Sequence, residues 1–443
     1  MAIAAGAVWE IRAAGLGASD ANGGFYVSGG VDYSQQDAAQ LAVSDAVANG
    51  TTTVTSAAGG FTSAMVGNGI NIAGVCYQIA ACTNTNTITV DRIITTATGL
   101  TAKVGGACLT PGFVWGQAVG GNWVWAKGST TLTSTTNNIA GGRMTLPSSV
   151  SASATTRFIG YTNTRGDGGK YTITNGALTS FNIVTSSGFC CLDNILLDCN
   201  SQTGASGFNL SSNVHAYSCR VTNITNGGGF GYATTFFCEV DGFVASSANV
   251  AFGAGTHYFA SAKGTGFFSY GFQNSIVIGC IAIGFGRGFD LSFGCTALHC
   301  VAYGAAIDGF YFALNSGTTP EAAINCIAVN NSGWGFNFNG SNANALLRNC
   351  ATYGNSSGGI NTANLVNASL QNISPIALTA NPFTNAAGND FSLNNVSGGG
   401  KLCRGVAQAF RGLSTTGYPD LGAVQHQDAG GIIPVGMNGG IRG

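Results

Sequence analysis

The sequence predicts an all-β protein, namely a right-handed parallel β-helix preceded by a small β-rich head. Two observations predict this fold: one phrase recurs eight times between Cys199 and Ile360, and apolar residues alternate within the copies. Successive copies start 19 to 26 residues apart, a period that is typical of a solenoid. The period would also suit a leucine-rich repeat, but the Leu and Asn consensus of that repeat is absent.

Each copy starts with a Cys or an Ala and continues, after a polar turn, with Gly and an apolar residue. Because coils stack roughly 4.8 Å apart, equivalent side chains should form ladders along the β-helix. The copy that begins at Cys238 departs from the rule, with only Val250 and Phe252 at the second position. The expected ladder residues are Cys199, Cys219, Cys238, Cys280, Cys300, Cys326 and Cys350, with Ala260 in the remaining copy, and Phe208, Phe230, Phe267, Phe289, Phe310 and Phe336.

The cysteine column could instead bind a metal ion or carry redox chemistry. However, Cys190 and Cys191 are adjacent, and no pair forms a CxxC motif. We therefore interpret the cysteines as small apolar core residues, with disulfides between coils as an open alternative. The four histidines are scattered without metal-ligand spacing, so we expect neither a metal ion nor a cofactor.

Asn or Gly closes the first strand of most copies, at Asn223, Gly284, Gly304, Asn330 and Asn355. These two residue types tolerate a positive φ angle better than others do. A tight turn is therefore predicted between the first and second strands of a coil.

The chain divides into three predicted parts. Residues 1–115 lack the repeated phrase and form the head, residues 116–425 form the β-helix, and residues 426–443 form a Gly-rich tail. Apolar segments such as Met65–Ile72 predict strands in the head. The Ala content and apolar spacing of Asp37–Val43 suit one short helix.

Four of the five tryptophans lie before residue 126, at Trp9, Trp115, Trp123 and Trp125. Large aromatic residues are frequent at sites where proteins attach to one another. The tryptophans are therefore candidates for attachment to a partner, and the alternative is that they plug the end of the β-helix core.

Charged residues make up only 7% of the chain, with 16 basic and 17 acidic side chains. A nucleic-acid-binding protein needs a basic surface that neutralises phosphates, so this class is discounted. The longest apolar stretch is far shorter than the roughly 20 residues that span a bilayer. The N-terminus has neither the basic nor the apolar region of a secretory signal, and we expect folding in a cytoplasm.

A β-helical glycosidase would need two carboxylates on one exposed face. Asp290 and Asp308 are the best candidates, because they lie in consecutive coils together with Arg287 and His299. Their different offsets from the Gly-Phe phrase predict different faces, so the alternative is a pair of solvated turn residues. Two further pairs are weaker candidates: Asp193 with Asp198, which a regular strand would place on opposite faces, and Glu239 with Asp241.

The coils, with the closing phrases Pro382-Phe383, Asp390–Leu393 and Asp420–Val424, look like the C-terminal pattern of pectate-lyase-like right-handed β-helix repeat proteins. This resemblance covers roughly residues 115 to 425. The opening segment Val8–Arg12, with Gly23-Gly24-Phe25 and Asp32–Gln36, is similar to the start of β-helix proteins found among tailed-phage virion components.

The resemblance implies two functions that the fold alone does not separate. Our leading hypothesis is a non-enzymatic virion structural protein, a homotrimeric capsid spike or decoration subunit that contacts the major capsid protein. The alternative is a phage tailspike that acts as a receptor-binding adhesin for host surface glycan, or as a polysaccharide hydrolase or lyase.

Overall fold

The computed structural model describes residues 3–13, 17–132, 143–147, 149, 151–177, 182–185, 188–246, 248–292, 294–313, 321–339, 345–363, 375–407 and 419–425. The chain divides into two compact units, Met1–Asp198 and Cys199–Gly443. Both contain coils of parallel strands, which confirms the predicted parallel β-helix. The predicted tail, 426–443, lies outside the described residues.

The coils of the first unit contain the N-terminal strand. Val8–Arg12 pairs in parallel with Trp123–Lys127, which in turn pairs with Thr156–Tyr161. Residues 1–115 therefore supply a strand to the coils as well as the head. The first sheet of this unit also contains Phe25–Tyr26 and Cys190–Asp193, and its second sheet contains Ser129–Leu132, Arg143–Leu146, Tyr171–Asn175, Asn182–Thr185 and Ile195–Asp198.

The head is a small closed barrel of antiparallel strands, as the sequence predicts for a β-rich head domain. Its apolar core includes Val43, Ile70, Ile79 and Ile88. The six strands are Leu41–Ala48, Thr53–Thr55, Gly69–Ile72, Val75–Asn84, Thr87–Val90 and Ala97–Val104.

The helix predicted at Asp37–Val43 is wrong, because this segment leads into the strand Leu41–Ala48. That strand pairs with Ala97–Val104 and buries Val43 in the barrel core. Pairing and burial therefore override the helical propensity of the alanines.

One short α-helix, Pro111–Gln117, follows the barrel. The Thr110 hydroxyl accepts a hydrogen bond from the Phe113 N–H at the start of the helix, and proline at the first helical position needs no such bond. With seven residues, it is too short to cross a membrane, and no other described helix is long or apolar enough to do so. The 3₁₀ helices are Ser63–Met65, Ala152–Ala154, Ala386–Gly388 and Gly400–Cys403.

The second unit contains three rows of parallel strands. The first row comprises Val214–Tyr217, Thr234–Phe236, Thr256–Tyr258, Ile276–Ile278, Thr296–Leu298, Ala322–Ile324 and Leu346–Arg348. The second row comprises Arg220–Thr222, Glu239–Val244, Ser261–Gln273, Ile281–Asp290, Val301–Tyr303, Ile327–Val329, Ala351–Tyr353 and Ile376–Ala377. The third row comprises Phe208–Asn209, Phe230–Gly231, Val250–Gly253, the distal halves of Ser261–Gln273 and Ile281–Asp290, Asp308–Ala313, Trp334–Asn339 and Gly358–Asn361.

Left-handed residues make the turns between these rows. Asn223, Gly284, Gly304 and Asn330 have positive φ angles, as their residue types predict. In the coil of Asn355, the preceding Gly354 adopts this conformation instead. A second left-handed column lies between the first and second rows, one residue before each ladder position from Cys219 to Cys350, at Ser218, Phe237, Phe259, Gly279, His299, Asn325 and Asn349.

Phenylalanine rings stack through the third row. The stack runs through Phe208, Phe230, Phe252, Phe272, Phe289, Phe310 and Phe336, with ring centroids 4.7 to 5.0 Å apart. Phe267 is not part of it, contrary to the sequence prediction. Register shifts within Ser261–Gln273 give the ladder position to Phe272, which pairs with Phe289, and leave Phe267 58% exposed.

Glycine precedes the stacked ring for a steric reason. A methyl group on Gly229 would lie 2.3 Å from the carbonyl oxygen of Ala251 and 2.7 Å from Val240. The same clash with a carbonyl oxygen recurs at Gly288 and Gly309. Only glycine therefore permits the strand of one coil to approach the next at this position.

Residues 378–407 and 419–425 cover the outer side of the second row. Val301 and Ile327 pack in one buried cluster with Phe383, Phe391 and Leu421. The strands Phe383–Asn385 and Asp390–Leu393 form a two-stranded sheet in this segment. The Gly422 N–H also donates a hydrogen bond to the Asn325 carbonyl oxygen at 2.8 Å.

Candidate functional site

Asp290 and Asp308 lie on neighbouring strands of the third row, but at different register positions. Asp308 faces Arg287, whereas Asp290 faces Tyr311. The offset of three residues corresponds to about 10 Å along a strand. Both side chains are nearly buried, with 4% and 2% exposure, so the alternative of solvated turn residues is wrong.

Asp308 holds two coils together. Its Oδ1 accepts a hydrogen bond from the Trp334 N–H at 2.9 Å, and its Oδ2 accepts one from Asn337 Nδ2 at 2.8 Å. Both carboxylate oxygens are therefore engaged with the following coil.

Asp290 lies at the centre of a second set of contacts. Its Oδ1 accepts a hydrogen bond from the Ser292 hydroxyl, and its Oδ2 accepts one from Gln273 Nε2 at 3.4 Å. The Nη1 atom of Arg287 is 3.8 Å from the same Oδ2, which is too long for a hydrogen bond. Asp290 thus holds the Arg287 guanidinium nearby without accepting a hydrogen bond from its N–H groups.

Arg287 lies flat on an aromatic ring. Its Cζ is 3.4 Å from the centroid of Tyr311 and 5.8 Å from that of Tyr270. The Tyr311 hydroxyl accepts a hydrogen bond from Asn339 Nδ2 at 2.5 Å, which fixes the ring beneath the guanidinium. Within the part of the chain that the structure describes, Arg287 makes no side-chain hydrogen bond, and its Nε is buried without a partner.

Two exposed aromatic rings lie on the strand that pairs with the strand of Arg287. Phe267 and Phe268 are 58% and 59% exposed and contact each other edge to face at 5.1 Å. The backbone of Phe267 lies against Gly286, the residue before Arg287, where a methyl group would meet the Phe267 oxygen at 2.1 Å. We call Phe267, Phe268, Tyr270, Arg287, Asp290 and Tyr311 the Arg287 cluster.

His299 is not part of the cluster. It is buried in the left-handed column, where its Nδ1 lies 3.1 Å from the Asp420 carbonyl oxygen and its Nε2 lies 2.9 Å from Asn325 Nδ2. A neutral ring that donates from Nδ1 and accepts at Nε2 satisfies both contacts. His299 shares two coils with Asp290 and Asp308 in the sequence, but its ring is held by Asp420 and Asn325.

Of the two weaker carboxylate pairs, one is divided by a break between two strands and the other shares an arginine. Asn194 has a positive φ angle and divides Asp193 from Asp198, so the single regular strand assumed from the sequence is wrong. Burial raises the pKa of Asp193. Glu239 and Asp241 both contact Arg220, at 3.4 and 2.6 Å.

The described residues include no group of three or more His, Cys, Asp or Glu side chains that is arranged to hold a metal ion. Cysteines at the repeated position are buried thiols. The Cys300 N–H donates to Cys326 Sγ at 3.4 Å, and Cys326 Sγ–H donates to the Ala297 oxygen at 3.5 Å. Burial raises the pKa of Cys300 and Cys350 well above its ordinary value. Their role as an inert core ladder stays a prediction.

The tryptophans differ in how far they reach solvent. Trp9 is fully buried and donates a hydrogen bond to Asn122 Oδ1 at 3.2 Å, so its ring is not available for attachment. Trp115 packs on Phe158. Trp125 contacts Tyr161. Trp123 is 40% exposed, with the Arg157 guanidinium 4.9 Å from its ring.

Sequence reasoning missed an ion-pair network in the first unit. Buried Glu10 contacts Arg12 at 2.9 Å and Arg165 at 2.7 Å, and it accepts a hydrogen bond from the Tyr161 hydroxyl. Arg165 also reaches Asp32 at 3.3 Å. The one available signal was the opposite charge of Glu10 and Arg12, two residues apart on one strand face.

No family model matches the chain, and no curated protein matches it. Among solved structures, the chain is similar to pectate lyase Pel9A, with 14% identity and a TM-score of 0.42 over 72% of this chain and 92% of that one. It is also similar to the A-module of mannuronan C-5 epimerase AlgE4 of Azotobacter vinelandii, with 12% identity and a TM-score of 0.38 over 54% and 72%. A third similar structure is ORF18 of Geobacillus virus E2, with 13% identity and a TM-score of 0.35 over 56% and 52%. The chain has the parallel β-helix fold.

Chemically, the Arg287 cluster can bind but is poorly arranged to hydrolyse. It combines guanidinium donors that make no hydrogen bond to the described residues, the nearly buried Asp290 carboxylate and, on the neighbouring strand, two exposed aromatic rings. Hydrolysis needs one carboxyl group free to protonate the leaving group and a second that faces it. Here Asp308 is engaged by two hydrogen bonds and offset from Asp290.

Proposed function

We propose that the chain is a phage virion protein of the tailspike type that binds a glycan on the host surface without cleaving it. One observation carries the proposal: the Arg287 guanidinium is held on the Tyr311 ring, beside Asp290, with no hydrogen bond from the described residues. The virion setting rests on the resemblance of the opening segment to β-helix proteins of tailed-phage virions.

A saccharide suits this arrangement because each hydroxyl group both donates and accepts hydrogen bonds. Arg287 supplies donors and Asp290 supplies an acceptor. Gln273, Asn337 and Asn361 follow the same outer column and are partly exposed. The exposed rings of Phe267 and Phe268 offer apolar surface for the C–H faces of a sugar.

Binding without cleavage is favoured by the two aspartates. A retaining glycosidase holds its carboxyl groups about 5 Å apart and an inverting one roughly 6.5 to 9.5 Å apart. The register offset and the two hydrogen bonds of Asp308 fit neither a nucleophile nor a general base.

The test is binding of the purified protein to polysaccharide from candidate host surfaces. Replacing Arg287 by Ala should weaken binding at least tenfold. The matched control is Arg348→Ala, which removes an arginine from the first row. Phe268→Ala should weaken binding about threefold, with Tyr232→Ala, another exposed ring, as its control. Equal binding by wild-type protein and the Arg287 variant would contradict the proposal, and so would release of reducing ends.

A capsid decoration subunit is the second candidate function, with assembly as a homotrimer on the major capsid protein. It is favoured by Trp123, which presents 40% of its surface and is flanked by Arg157. Cryo-electron microscopy of particles should then show many symmetric copies on the shell. Trp123→Ala should reduce their occupancy, whereas a few copies at the tail would support the adhesin.

A further inference from the structure

We propose that the Arg287 cluster selects an uncharged saccharide with vicinal hydroxyl groups and discriminates against acidic glycans. This inference rests on the proposed function and specifies its ligand. It comes from the balance of charge around Arg287 and from the spacing of the open donors and acceptor.

The charge balance opposes an anion. Arg287 carries one formal positive charge, while Asp290 lies 3.8 Å away and Asp308 faces Arg287 on the neighbouring strand. One positive and two negative groups leave a local formal charge of −1. A carboxylate that approached Arg287 would meet this negative balance, and like-charge contacts are a common way in which proteins reject a partner.

The chain as a whole supplies no compensating attraction. Its formal net charge is −1, with 16 basic and 17 acidic residues. A protein that collects a polyanion normally presents a positive field that raises the association rate. Here the selective contacts must be hydrogen bonds and apolar packing.

Donor and acceptor are spaced for neighbouring hydroxyl groups. Nη1 of Arg287 and Oδ2 of Asp290 are 3.8 Å apart, so one hydroxyl can accept from the guanidinium while the next donates to the carboxylate. Tyr311 cannot stack on the sugar, since its ring face is covered by Arg287. The sugar ring would therefore lie against Phe267 and Phe268, the exposed rings of the cluster.

The experiment measures retention of the full-length protein on four polysaccharides: mannan and dextran as neutral probes, and polygalacturonate and alginate as acidic ones. Each is measured at 20 and 500 mM NaCl. We expect binding to a neutral probe that changes less than twofold between the salt concentrations, because screening acts on charged contacts.

Asp290→Asn provides the reciprocal test. It keeps an acceptor for the Ser292 hydroxyl and raises the local formal charge from −1 to 0, so polyuronate binding at low salt should rise at least threefold while binding of the neutral probe falls. The matched control is Asp390→Asn, because Asp390 also accepts a hydrogen bond from the serine two residues on, Ser392. This control should leave both unchanged.

The outcomes separate the inference from the function on which it rests. If wild-type protein prefers a polyuronate, with binding that weakens more than fivefold at high salt, the charge inference is overturned and the adhesin proposal stands. If Asp290→Asn leaves the preference unchanged, the inference also fails. If no saccharide binds to wild-type protein, the proposed function fails and the inference fails with it.

Discussion

The two units are built from the same kind of coil but are stabilised in different ways. In Met1–Asp198, single charged and aromatic contacts hold the coils, above all the buried Glu10 between Arg12 and Arg165. In Cys199–Gly443, side chains of one type stack from coil to coil. A contact that recurs in every coil requires the same residue type at a regular spacing, so it is visible in the sequence as a repeat. A contact that occurs once produces no such repeat.

The largest effect should come from a charge in the stacked unit. Cys326→Asp would place an unpaired carboxylate where a buried thiol now contacts Cys300, and we expect a loss of about 5 kcal/mol or more. The protein should then fail to give a cooperative thermal transition by circular dichroism. Cys82→Asp, at a partly exposed position of the barrel, is the control. A soluble and fully folded Cys326 variant would contradict the inward cysteine ladder.

The first unit should depend equally clearly on one carboxylate. Glu10→Gln would leave Arg12 and Arg165 without their buried partner, at a cost of roughly 3 to 5 kcal/mol. Hydrogen exchange should show the loss in the coils of Met1–Asp198. Glu239→Gln removes a more exposed ion pair and should cost less than about 1 kcal/mol. Equal losses of stability in the two variants would show that burial does not determine how much these ion pairs contribute.

A buried histidine makes the stacked unit sensitive to acid. The ring of His257 packs against both Phe252 and Phe272. Its Nδ1 lies 2.9 Å from the Thr235 hydroxyl, and its Nε2 has no hydrogen-bond partner among the described residues. Desolvation lowers its pKa to about 3 in the folded protein, below the value of roughly 6.5 in an unfolded chain.

The unfolded chain therefore binds this proton first. The stability contribution is complete above pH 6.5 and is lost as the pH falls toward 3, by about 3 kcal/mol at pH 4. Urea unfolding between pH 4 and 7 measures the loss. His257→Val, which matches Val277 at the same register, should flatten the profile, whereas His215→Val at an exposed site should not. An unchanged slope in His257→Val would assign the acid sensitivity elsewhere.

The smallest effect should come from one methyl group. Gly229→Ala would bring a carbon to 2.3 Å from the Ala251 oxygen, and overpacking of this kind costs typically about 1 to 3 kcal/mol. Gly231→Ala is the control, because the nearest atom there is at 3.5 Å. Thermal melts of both variants would measure the difference, and a neutral Gly229 variant would show that neighbouring coils can separate.

The features that could be predicted from the sequence are those that repeat from coil to coil. The repeat indicated the β-helix, and the structure stacks Phe272, not Phe267, with Phe252 and Phe289. That error arose because Gly266-Phe267 and Gly271-Phe272 carry the same phrase, and only the register shifts select between them. The network of Glu10 and the placing of Arg287 on Tyr311 depend on which coils become neighbours, and no local pattern specifies that. The Asp37–Val43 helix was mispredicted for the same reason.

The covering of the second row by residues 378–407 and 419–425 has a consequence for the order of folding. Val301 and Ile327 precede Phe391 and Leu421 in the chain, although they share one buried cluster. During synthesis, the coils therefore emerge with an apolar outer side that stays open to other chains until the covering segment arrives. Once these residues are packed on the coils, the rate at which they detach would set how long the coils resist heating or proteases.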